Sequence, residues 1–126
     1  MRLLLLALLL AGCAAPGAYD TRAQADLARD LAGRVAGPAQ RCVSSYPAQS
    51  LRIVDSSTIV YESGRTLWVN RLDAPCPGLR PLETVIVEVR GAQYCRGDLV
   101  RGLPPGSNIA GPRCPLGDFI PFRVPR

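Results

Sequence analysis

Apolar residues fall in three successive registers along the chain. Leu3 to Leu10 form an unbroken run behind Met1-Arg2, closed by the small residues Ala11-Gly12. A positive start, a compact apolar centre and a small-residue exit are the anatomy of a signal peptide. The run is too short to cross a bilayer, which takes about 20 apolar residues, and Ala14-Ala15-Pro16-Gly17 interrupts it soon afterwards. Next, Ala23, Leu27, Leu31 and Val35 recur every four positions, with Arg22, Asp26, Arg29, Asp30 and Arg34 between them. That spacing predicts an amphipathic helix over Thr21 to Arg34, capped by Asp20 and ended near Gly33 or Gly37-Pro38. Beyond Cys42 the period shortens to that of strands. Leu51–Val54, Thr58–Tyr61, Thr66–Val69 and Thr84–Arg90 are β-branched runs, the first three separated by the turn-forming segments Asp55-Ser56-Ser57 and Glu62-Ser63-Gly64-Arg65. Shorter strands are expected at Gln93–Cys95 and Asp98–Arg101. Pro104 to Pro112 reads as a surface loop, and the proline-punctuated tail Phe119–Pro125 as an edge segment.

The expected fold is therefore mainly β, a small twisted antiparallel sheet or barrel with one N-terminal helix. The organisation is a leader over 1–12, a tether with the helix over 13–41 and a β domain over 42–126. A single core is all that 126 residues allow, and covalent staples would add to a thin packing margin.

Composition removes function classes more readily than it supplies one. The chain has no histidine, so Ser-His-Asp and Cys-His nucleophile systems and His-containing metal sites cannot be built from it alone. All 15 basic residues are arginine, giving a formal charge of +5, yet they are scattered and no cationic block forms. That pattern gives no nucleic-acid footprint, although a cationic surface can lean on anionic lipid headgroups. Asp55, Asp73, Asp98 and Asp118 stand near turns, with nothing in their spacing to pair two of them as acid and base. Arg96-Gly97-Asp98 reads as turn chemistry beside Cys95, and Trp68 as a core residue of its strand. The chain is not expected to be an enzyme or to carry a cofactor or metal.

Leu10-Ala11-Gly12-Cys13 resembles the lipobox of bacterial lipoproteins. The resemblance implies cleavage before Cys13, attachment of lipid to its thiol and membrane anchoring through two or three acyl chains. Ala14 in place of aspartate after the cysteine implies, by the same resemblance, the outer membrane facing the periplasm. Excluding Cys13 leaves Cys42, Cys76, Cys95 and Cys114, an even set in a compartment where thiols oxidise, so two disulfides are expected. Intervals of this width do not suit a four-cysteine zinc site, and the absence of a Cys-x-x-Cys unit removes a thioredoxin-like role.

Cys42-Val43, Arg71-Leu72-Asp73-Ala74-Pro75-Cys76-Pro77-Gly78-Leu79, Tyr94-Cys95-Arg96-Gly97-Asp98 and Arg113-Cys114-Pro115-Leu116-Gly117-Asp118-Phe119-Ile120-Pro121 are similar to a domain of unknown function in small exported proteins of proteobacteria. The similarity covers about Cys42 to Pro121 and brings no activity. It implies a bond between Cys76 and Cys114, leaving Cys42 with Cys95; the nested alternative joins Cys42 to Cys114 and Cys76 to Cys95. Two functions remain as expectations. One is a non-catalytic envelope lipoprotein that binds or supports another envelope protein through a sheet edge or the loop near Pro104 to Pro112. The other is a module binding a small ligand or metal ion in a barrel mouth lined by Tyr61, Trp68, Tyr94 and acidic turn residues.

Overall fold

The computed structural model describes residues 18–46 and 51–126, so the leader, Cys13 and the tether through Gly17 lie outside the described residues. In chain order the elements are α1 (Ala18–Leu31), β1 (Val35–Ala36), β2 (Cys42–Ser44), β3 (Leu51–Asp55), β4 (Thr58–Ser63), β5 (Thr66–Arg71), β6 (Thr84–Glu88), β7 (Gln93–Cys95), β8 (Leu99–Leu103), β9 (Cys114–Pro115) and β10 (Phe119–Arg123). The domain is mainly β with one N-terminal helix, antiparallel sheets and two disulfides, as the pattern predicts. Its strands divide among three ladders: β1-β10-β5-β4-β3, β6-β8-β9 and β2-β7.

β3, β4 and β5 form the expected meander. Asp55 sets its first turn by accepting a hydrogen bond from the Ser57 N–H at 2.8 Å. Thr58 to Tyr61 and Leu67 to Asn70 are buried without alternation, because this sheet is covered on both faces. On one face Val54, Val60, Leu67 and Val69 pack beneath Leu27 of α1. On the other, Ile53, Ile59, Tyr61, Trp68 and Phe119 meet Val43, Leu79, Val100 and Leu116 from the two smaller ladders and their loops. Each such fully buried side chain stabilises the fold by about 1.5–3 kcal/mol. Arg52 pairs with Asp30, and the Gln24 amide donates to Asp55, fixing the helix across β3.

Three sequence expectations change. The helix starts at Ala18, so Asp20 sits in its first turn, where its charge favours the helix dipole, instead of capping it. It ends at Leu31: Gly33 takes a left-handed φ of +73°, and the Arg34 N–H returns to the Leu31 carbonyl. Val35 is therefore no helical core residue; it opens β1 opposite Arg123 and is 59% exposed. Finally, the tail is not at an edge, since β10 lies between β1 and β5. Pro121 is tolerated there because its carbonyl, and hence its nitrogen, faces the β1 side. Gly37 donates to that carbonyl at 2.7 Å, and the chain leaves regular pairing before Gln40 rejoins Phe119. Val35–Ala36 and Gln40 thus pair with β10, while α1 packs on one face of the same sheet.

Candidate functional site

Both disulfides follow the pairing that the resemblance implies, Cys42–Cys95 and Cys76–Cys114. The nested alternative is ruled out. Cys42 and Cys95 are direct cross-strand partners in the three-residue β2-β7 ribbon, which is too short to be stable unsupported. Cys76, fully buried, ties the loop after β5 to β9. Its N–H also donates to the Ser56 carbonyl at 2.7 Å, so the same residue holds the first hairpin turn.

The quoted motifs converge on one junction beside Cys95. Arg96, in the turn between β7 and β8, reaches Asp73 at 2.5 Å and Asp118 at 3.4 Å. Two of the four turn aspartates are thus brought together after all, from the end of β5 and the approach to β10. An arginine bridges them, so the arrangement neutralises charge. Asp98 accepts a hydrogen bond from the Cys95 N–H at 2.8 Å and is buried, closing the Arg96-Gly97 turn as expected. Beneath the junction lies a residue that the sequence reading passed over. Asn70 is 1% exposed; its amide donates to the Gly117 carbonyl at 2.8 Å and accepts from the Gly117 N–H at 2.9 Å. A Cβ on Gly117 would sit 1.9 Å from the Arg71 carbonyl oxygen, so only glycine allows this approach. The available signal was an asparagine inside a β-branched run with no turn around it.

Tyr61, Trp68 and Tyr94 do not line an opening. Tyr61 and Tyr94 meet edge to face at 5.4 Å within the core, where the Tyr61 hydroxyl donates to the Ser44 carbonyl. Burial raises the pKa of the Tyr94 phenol, with the neighbouring Tyr61 adding to the effect. Trp68 fills the core beneath the Arg123 guanidinium, which stands 5.7 Å above its ring. Among the described residues no group of three or more Cys, Asp or Glu side chains is placed to hold a metal ion.

The open concavities lie elsewhere. One of about 360 Å³ follows the Arg90–Gln93 turn to Asp98. Two more flank the loop Pro81–Glu83. The first, about 430 Å³, is walled by Arg22, Ala23 and Asp26 of the helix and by β3. The second, about 900 Å³, lies between Asp20 and Gln24, the Cys76–Arg80 segment and Pro104-Pro105. Leu82 stands between them with a φ of +73° and 73% of its surface exposed. An apolar, non-glycine residue in the left-handed region is uncommon and held at an energetic cost. Glu83 turns one carboxylate oxygen inward, toward Gly102 and the Gly78 carbonyl, without a hydrogen-bond partner. No family model, curated protein or solved structure matches the chain.

Proposed function

We propose that this chain is a lipid-anchored protein of the bacterial envelope, held through Cys13 at the periplasmic face of the outer membrane. Its stapled β domain acts as a non-catalytic module that binds or supports another envelope protein through a sheet edge or the 104–112 loop. Cysteine pairing carries this reading. The four cysteines after Cys13 bond to one another, so Cys13 has no thiol left within the chain to join. An odd cysteine directly after Leu10-Ala11-Gly12 suits lipid attachment, and two disulfides suit an oxidising compartment. The likeness to small exported proteins of proteobacteria points to the same address.

The non-catalytic part is supported by what the acids do. Asp73 and Asp118 share Arg96, Asp98 holds a turn, and Asp55 serves the first hairpin. Replacing the anchor residue tests the proposal: Cys13→Ser is expected to move the protein from the membrane fraction to the soluble fraction. A variant that still floats with membranes contradicts lipid anchoring at Cys13.

A further inference from the structure

We propose that the Pro81-Leu82 loop, with the adjoining Pro104-Pro105 turn, is a membrane-contacting end of the domain, and that Leu82 enters the boundary between headgroups and acyl chains. This rests on the reading of Cys13 as the lipid-bearing residue. Five residue steps separate Cys13 from Ala18, the first residue of α1. Such a segment reaches at most about 18 Å even when fully extended. The N-terminal end of α1 is therefore confined to the neighbourhood of the bilayer. Asp20 and Gln24 of that end form one wall of the cleft whose other walls carry Leu82 and Pro104-Pro105. The end of the domain nearest the anchor is thus the one that displays Leu82.

Several large apolar side chains are exposed at scattered positions over the domain, which is ordinary. Leu82 differs in being the one non-glycine residue among those described with a positive φ. The fold holds an apolar side chain in solvent in a strained conformation, the kind of outlier that marks a contact site. Arg22 and Arg80 are exposed on the rims of the two clefts and make no ion pair among the described residues. Their guanidinium groups suit headgroup phosphates. Of the four acids lining the two clefts, Asp26 is paired with Arg29 and Asp55 accepts from Ser57 and Gln24, whereas Asp20 and Glu83 make no ion pair among the described residues and offset part of the cationic charge. Leu82 beside Arg22 and Arg80 combines, on the scale of one loop, the apolar insertion and headgroup attraction that seat amphipathic helices about 5–10 Å into a bilayer.

The test uses the full lipidated protein with Trp68 retained, and two variants that each add one indole, Leu82→Trp and Val35→Trp. Val35 is also exposed but lies beyond the far end of α1, which is about 21 Å long. All three proteins are reconstituted into vesicles of phosphatidylethanolamine and phosphatidylglycerol containing brominated phosphatidylcholine, which quenches indoles within the bilayer. The emission gained in Leu82→Trp is expected to fall about two-fold or more, and that gained in Val35→Trp to stay nearly constant, as an insertion depth of about 5–10 Å requires. Equal, small quenching in both variants while the protein still floats with the vesicles overturns the contact and leaves the anchor standing. Failure of all three proteins to float overturns the anchor and this inference with it.

Discussion

Asn70 shows how a single polar side chain can carry a junction. Its amide satisfies both backbone groups of Gly117 in a site closed to water. Asn70→Leu fills similar space but leaves a buried N–H and C=O unpaired, so it should destabilise the domain by about 2–4 kcal/mol. Urea unfolding measures this, and a loss below about 0.5 kcal/mol would mean that the pair does not hold the junction. Glu88 illustrates the opposite regime, at the surface. A hydrogen bond from Arg113 at 2.6 Å, reinforced by the charges of Arg113 and Arg101, holds its carboxyl below the ordinary glutamate value against the opposing effect of desolvation. Because the folded-state value is depressed, the attraction is fully present above the ordinary value and is lost as pH falls through the lowered one. Arg113→Gln should therefore raise the Glu88 titration midpoint, read by carboxyl-carbon NMR against pH; an unchanged midpoint would discard this account. Neither residue's role was legible in the sequence. Asn70 and Gly117 are far apart in the chain, and Glu88 meets Arg113 only because β8 lies between β6 and β9.

At the scale of elements, local pattern works where local physics decides. The Asp55-Ser56-Ser57 and Gly64-Arg65 turns and the runs around them predict the meander because adjacent strands need only a turn between them. The pattern fails at α1, where period four includes Val35 although Gly33 reverses the chain and β10 offers Val35 a ladder partner. Two substitutions separate these descriptions. Leu27→Ala, beneath the helix, should cost about 2–4 kcal/mol, whereas Val35→Ala, on an exposed strand residue, should stay within about 0.5 kcal/mol by the same unfolding measurement. Comparable losses at both sites would favour the longer helix. The tail fails for a related reason: prolines argue for an edge, but β1 is only two residues long and leaves Pro121 opposite an irregular stretch. A sequence reading cannot see the length of a partner strand.

At the scale of the whole molecule, the disulfides compensate for fragmentation. Three ladders of five, three and two strands share a core but not a continuous hydrogen-bonded sheet. Cys42–Cys95 secures the smallest ladder, and Cys76–Cys114 joins the loop after the meander to the three-stranded one. Bridges of this kind typically contribute about 2–4 kcal/mol each, a large share of a small domain's margin. That the cysteines would pair was legible from their even number after Cys13; which ones pair came only from a resemblance, since spacing permits three arrangements. The candidate site was less legible. The aromatics proposed to line a mouth are core, and the Leu82 loop had no motif to mark it.

The central claim, a disulfide-stapled β domain held at a membrane through Cys13, is tested most directly by intact mass. The membrane-extracted protein would be weighed before and after reduction and thiol alkylation. The account predicts a chain lacking Met1 to Gly12, carrying added acyl chains, with four cysteines that alkylate only after reduction. An unacylated chain whose Cys13 alkylates without reduction would contradict it.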